Sequence, residues 1–198
     1  MAHAPDQPDQ QALLLQINEV GGFLVFTGPS ITIGPVGSPS RPDLAVLVDP
    51  SLPVLKVCRC QDDYLAYGQG QSTPILLSNG QKLALSQKAF FWFGLPNSAS
   101  CTAVLTPVGL RLPRCDVQAV ILAPREILIG PTKGHHIRTT HLDRTLTLLI
   151  RDGMIWAAEG PIPFGSSPLT ERATPLAMDQ PVQVPPLVLV ISHWKPEV

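Results

Sequence analysis

The sequence predicts an all-β protein made of two tandem β-sandwiches of short, mostly antiparallel strands. Three observations carry this. The chain of 198 residues holds 22 prolines spread along its length, about twice the usual ~5% share. An interior proline costs a helix about 3 kcal/mol, so long helices have little room, whereas turns and edge strands accept proline. Apolar stretches of strand length recur between Gly, Pro, Asn and Asp clusters every 8–12 residues or so. Finally, "ITIGP" at 31–35 returns as "ILIGP" at 127–131. With the spacing held fixed, Leu24, Val25 and Phe26 fall against Val120, Ile121 and Leu122, so each copy is an apolar strand, a polar turn and a second apolar strand ending in Gly-Pro.

The elements follow in order. "DQQALLLQINEVGG" fits either a helix capped by Asp9 and ended by Gly21 and Gly22, or a strand over 13–17 whose turn leads into "GFLVF"; the hairpin is preferred. "ITIGP" is followed by the loop "VGSPSRPD", the apolar run "LAVLV" and the turn "DPSLP". "VLKVCRC" and "DYLAYG" form a hairpin around residues 61–63, and an "SNG" turn at 78–80 leads to "KLAL" and the aromatic strand "AFFWFGL". After the strand-like "TAVLT", the second half repeats the order with "VQAVILA", "EILIGP", the loop "TKGHHIRTTHLD", "TLTLLI" and "MIWAA". Leu44 then corresponds to Ile137. "PIPFGSSPLTERATPLAMDQPVQ" allows two or three very short strands, and "PLVLVISHW" closes the chain. The expected division is a loose polar tail over 1–11, a first sandwich over 12–108 and a second, more divergent one over 109–198.

Composition bounds the function. Charged residues make up 15% of the chain and hydrophobic ones 44%, so a sizeable core can be buried. A net charge of −1 without a clustered basic surface gives no footprint of nucleic-acid binding. The longest apolar run, "PPLVLVI", is far short of the ~20 residues that span a bilayer, so no membrane partner is expected. The first eleven residues lack a secretory pattern, and a cytoplasmic location is expected. The four cysteines, Cys58, Cys60, Cys101 and Cys115, show no C-x2-C or C-x2-H spacing; buried thiols are expected, with no metal and no cofactor. No nucleophile elbow, phosphate loop, dinucleotide fingerprint or H-E-x-x-H motif occurs, and the chain is not expected to be an enzyme.

A hairpin ending in I-x-I-G, a polar loop with "RPDL", a serine-containing turn, an "NG" turn and a closing aromatic strand together resemble the forkhead-associated (FHA) domain. The resemblance covers 13–96 and, more faintly, 117–192. It implies an eleven-strand sandwich per copy whose loops at one end read phosphothreonine. The family's arginine directly follows the hairpin glycine; here Pro35 and Pro131 stand there, offering neither charge nor N–H. Ser51 matches the serine of the family's S-x-x-H motif, with Val54 at the histidine position, and Asn79 with Gly80 matches the N-G turn. The expectation is therefore a non-enzymatic interaction protein, an adaptor or scaffold, that binds a protein or peptide without requiring phosphothreonine. The alternative is a phosphothreonine-peptide reader in which Arg41, from the same loop as Pro35, substitutes beside Ser51 and Asn79.

A second cluster, "KGHHIRTTHLDR", carries Lys133, His135, His136 and Arg138, and three of the chain's five histidines. It suits either a solvated loop or an anion-binding loop that strengthens as histidines gain protons below about pH 6.5. A metal is disfavoured, because adjacent histidines on a strand point to opposite faces.

Overall fold

The computed structural model describes residues 12–68, 73–151, 153–160 and 173–194. The expected tail over 1–11 and residues 161–172 lie outside them. Among the described residues the chain is all-β, with a single 3-10 turn at Ser98–Ser100 and no α-helix.

The first hairpin joins β1 (Ala12–Ile17) to β2 (Gly21–Phe26), with Leu13 opposite Val25 and Ile17 opposite Gly21. The helical alternative for this segment loses because β1 has a ladder along both edges. β3 (Ser30–Pro35) carries "ITIGP" and pairs in parallel with β4 (Leu44–Val46). β5 (Leu55–Cys60) and β6 (Asp63–Tyr67) form a hairpin through Gln61, whose φ is 58°. β7 (Ile75–Leu76) borders β6, and β8 (Gln81–Ala84) pairs with β9 (Phe90–Gly94). β10 (Ala103–Val108) turns back into β11 (Val117–Leu122), followed by β12 (Glu126–Gly130), β13 (Ile137–Arg138) and the hairpin of β14 (Leu146–Arg151) with β15 (Met154–Glu159). β16 (Ala173–Leu176), β17 (Val182–Val184) and β18 (Leu187–His193) complete the chain.

These strands make three sheets. The central one has eight strands in the order β17-β18-β1-β2-β11-β10-β9-β8; the others run β4-β3-β5-β6-β7 and β13-β12-β14-β15-β16. Exchanging β1 with β10, β2 with β11, β8 with β17 and β9 with β18 reverses the central order onto itself, and the same shift of nine maps one small sheet onto the other. The Gly-Pro repeat keeps its register: Ile33 lies opposite Leu44 and Gly34 opposite Ala45, as Ile129 lies opposite Ile137 and Gly130 opposite Arg138. Most pairs are antiparallel; β2–β11, β3–β4 and β12–β13 are parallel.

Strand order also shows where the halves meet. β10 pairs with β11 as β1 pairs with β2, so β10 opens the second set of nine strands. The connection over 95–102 leads into that set. The last strand of each set is lent to the other: β9 pairs with β10, and β18 with β1.

Both faces of the middle of the central sheet are covered. Leu24 and Phe26 of β2 join one hydrophobic cluster with the β3–β7 sheet, and Phe23 and Val25 join a second with the β12–β16 sheet. β11 divides likewise, Val120 and Leu122 to the first and Ala119 and Ile121 to the second. The ungapped match of Leu24, Val25 and Phe26 to Val120, Ile121 and Leu122 therefore picks out neighbours across one ladder, each pair facing the same core. Residues with equivalent packing are displaced by one, since the step from Phe26 to Ile31 within the first core is one residue longer than that from Ala123 to Ile127 in the second.

The first core contains Phe91 and Phe93, both fully buried, with the Tyr64 ring edge-on to Phe93 at 5.4 Å. Each such side chain contributes about 1.5–3 kcal/mol by leaving water. The Tyr64 hydroxyl shares its one proton between the carbonyls of Cys101 at 2.8 Å and Leu122 at 3.1 Å, binding the first small sheet to the second half of the chain. Burial pushes its pKa above the ordinary tyrosine range.

Candidate functional site

In β9 alternation sends Phe91 and Phe93 into the core, which leaves Trp92 on the opposite face, 46% exposed. On that face Trp92 lies between Lys82 of β8 and Thr106 of β10. Lys82 Nζ sits 4.0 Å from the centroid of the Phe90 ring and donates to the Gln87 carbonyl at 2.9 Å. The second small sheet covers the middle of the central sheet but leaves this aromatic strip open, so a groove of about 460 Å³ forms beside the 131–138 loop.

Two sequence clusters meet there. Asn79 and Gly80, from the first-half turn, line the same groove as Lys133, His135, His136 and Arg138 from the second half. Gly80 has φ of 80°, the left-handed region its turn requires, and Asn79 Oδ1 accepts the Leu95 N–H at 2.8 Å, joining the turn to the end of β9.

The two adjacent histidines are buried, with both ring nitrogens of each within hydrogen-bond distance of a partner. His135 and His136 are 7% and 6% exposed, so neither belongs to a solvated loop. The Leu128 N–H donates to His136 Nδ1 at 2.8 Å. The proton must then sit on Nε2, which donates to Ser100 Oγ at 2.8 Å, while Ser100 in turn donates to the Asn97 carbonyl. A serine–histidine pair of this polarity has no vacant nitrogen to take the serine proton, so it lacks the first requirement of a nucleophile and its base. His135 Nδ1 accepts the Thr132 N–H at 3.0 Å, and its Nε2 lies 2.8 Å from Thr145 Oγ1. The ring is seated on Gly130, where a Cβ would come within 2.8 Å of Cε1.

Burial, reinforced by neighbouring His135, pushes the pKa of His136 down to about 4. The expectation that this loop gains charge below pH 6.5 fails for His136, because desolvation outweighs the ordinary affinity of imidazole for a proton. Positive charge in the loop resides on the exposed Lys133 and Arg138. Among the described residues no hydrogen bond or ion pair engages either head group.

Arg41 and Ser51 lie elsewhere, in the loops of the first small sheet, and neither lines the groove. Arg41 is exposed, with φ of 44°, and its N–H closes a turn onto the Ser38 carbonyl at 3.0 Å. The Ser51 hydroxyl and N–H both donate to Asp49 Oδ1, at 2.7 and 2.9 Å, and hold that carboxylate below its usual pKa. A carboxylate thus already occupies the donor that the FHA resemblance assigns to phosphate. Val54, at the histidine position of that resemblance, packs over Gly34: a Cβ there would meet its methyl at 2.6 Å. Sequence reasoning missed Trp92. The available signal was its place between two core phenylalanines on an alternating strand. Among the described residues no group of three His, Cys, Asp or Glu side chains gathers as a metal centre, and the cysteines are unpaired.

Fold and site together define an all-β protein with an open aromatic and cationic groove. No protein-family model matches the chain, and neither a curated protein nor a solved structure matches it.

Proposed function

We propose that the chain is a non-enzymatic interaction protein, built from two FHA-like sandwiches interleaved through one sheet, which takes a partner protein in the groove beside Trp92 without requiring phosphothreonine. The observation that carries this reading is the convergence of Asn79 and Gly80 with the 133–138 segment over an exposed tryptophan. An apolar floor with a few polar groups at its border is the usual form of a binding site, and exposed aromatic residues are frequent binding anchors. The likeness of the two halves rests on the matched registers of the two Gly-Pro strands, and the FHA-like part on the order of motifs in the sequence. Independence from phosphate rests on Pro35 and Pro131 at the arginine positions and on Asp49 beside Ser51.

The test is affinity capture from the source cell with and without phosphatase, followed by matched threonine and phosphothreonine peptides. Partners retained after phosphatase treatment, and lost with Trp92→Ser, are the expected result. A phosphate-dependent gain of about a hundredfold, near 2.7 kcal/mol, that disappears with Arg41→Ala would establish the phosphothreonine reader instead.

A further inference from the structure

The groove's chemistry selects among possible partners, on the footing that the groove is the binding site. Among the described residues its charged lining is Lys133 and Arg138, with no carboxylate. Glu19 lines an adjoining depression that shares Arg138, where its carboxylate lies 3.5 Å from His141 Nδ1. An exposed tryptophan beside two uncompensated cations favours an apolar side chain flanked by negative charge.

The form of that negative charge follows from the loop backbone. Phosphate is gripped by converging N–H donors together with a fixed guanidinium. Here four of the loop's N–H donors are already engaged: Thr132 N–H goes to His135 Nδ1, His135 N–H to the Thr132 carbonyl, His136 N–H to the Leu128 carbonyl and Thr139 N–H to the Gly130 carbonyl. The histidine rings are occupied as well. The cations are two long, exposed side chains five positions apart, Lys133 and Arg138, each able to meet a separate carboxylate along an extended segment.

We propose that the groove binds an acidic, unphosphorylated segment of a partner protein, whose apolar side chain packs on Trp92 while its carboxylates meet Lys133 and Arg138. The test is selection of a displayed random-peptide library on the full chain, followed by calorimetry with the synthetic winners. The winners are expected to carry Asp or Glu on either side of an apolar residue. Their binding weakens about tenfold or more with Trp92→Ser, and likewise with Lys133→Glu combined with Arg138→Glu, and it falls as salt screens the charges. All three side chains are exposed, so the variants are expected to keep the fold, which circular dichroism checks.

Neutral or basic winners, or acidic winners that bind the charge-reversed variant equally well, overturn the acidic partner and leave the groove as a binding site. A hundredfold gain from phosphorylating a serine within a winner overturns the unphosphorylated part. Failure of any peptide to be enriched overturns both this inference and the interaction reading on which it rests.

Discussion

Val25 and Ile121 sit side by side in the parallel ladder between β2 and β11, at the middle of the eight-stranded sheet, and both face the second core. Corresponding strands of the two halves are thus hydrogen-bonded to each other, and neither core is completed by one half alone. The first cluster takes Ala103, Leu105, Val120 and Leu122 from the second half; the second takes Leu13, Leu15, Phe23 and Val25 from the first.

Cutting the chain after residue 102 therefore leaves the first core without β10 and β11. The fragment over 12–102 is expected to stay unfolded, with poorly dispersed amide resonances, whereas co-expression with 103–194 restores the native spectrum. A cooperatively folded 12–102 fragment would show that the shared sheet is dispensable.

Gly130→Ala drives a methyl into the His135 ring, 2.8 Å from Cε1. Overpacking of this kind costs about 1–3 kcal/mol. In a His135→Ala background the clash is gone, so most of the cost should disappear in a double-mutant cycle followed by urea denaturation. Additive losses would mean that Gly130 is required for some reason other than the ring.

Stability should fall in acid because of His136. Its folded pKa is about 4, below the ordinary 6.5 of the unfolded chain. Above pH 6.5 the imidazole is neutral in both states; below it, only the unfolded chain takes up the proton until the folded pKa is reached. The stabilisation is full above pH 6.5 and lost as pH falls from 6.5 towards 4, with a ceiling of about 3 kcal/mol. His136→Gln should flatten this part of the profile in denaturation at pH 7 and pH 4.5.

Asp43 holds the loop between β3 and β4. Its Oδ2 accepts the Thr32 N–H at 2.7 Å and the Thr32 hydroxyl at 2.6 Å, and its own N–H donates to Thr32 Oγ1 at 2.9 Å. Asp43→Ala removes the charged acceptor and should cost about 1.5–3 kcal/mol, measured by thermal unfolding, with no loss of binding in the groove on the other face.

Much of the fold was legible locally. The hairpin of β1 with β2, that of β5 with β6 around Gln61, and the strand following the "NG" turn all lie where alternation and turn residues put them. The Gly-Pro repeat survives as matched register, including Leu44 with Ile137. The sharing of the sheet was written more faintly. "LKVCRC" in β5 alternates at its start, as a strand covered on one face does, whereas "FLVF" in β2 and "AVIL" in β11 are uninterrupted apolar runs, the mark of strands buried on both faces. Asn79 and Gly80 were recognised as a turn and 133–138 as a cluster, but nothing in either segment indicated the other.

By itself the sequence determined which residues become strands and turns and which side of each strand avoids water, because those properties depend on neighbours a few positions apart. Only the tertiary structure decided that the halves lend each other their closing strands, that His135 and His136 are buried and that Trp92 lies open beside Lys133 and Arg138. Alternation specifies that a face must be covered and is silent about what covers it; that choice is made by pairings between residues as far apart in the chain as Val25 and Ile121.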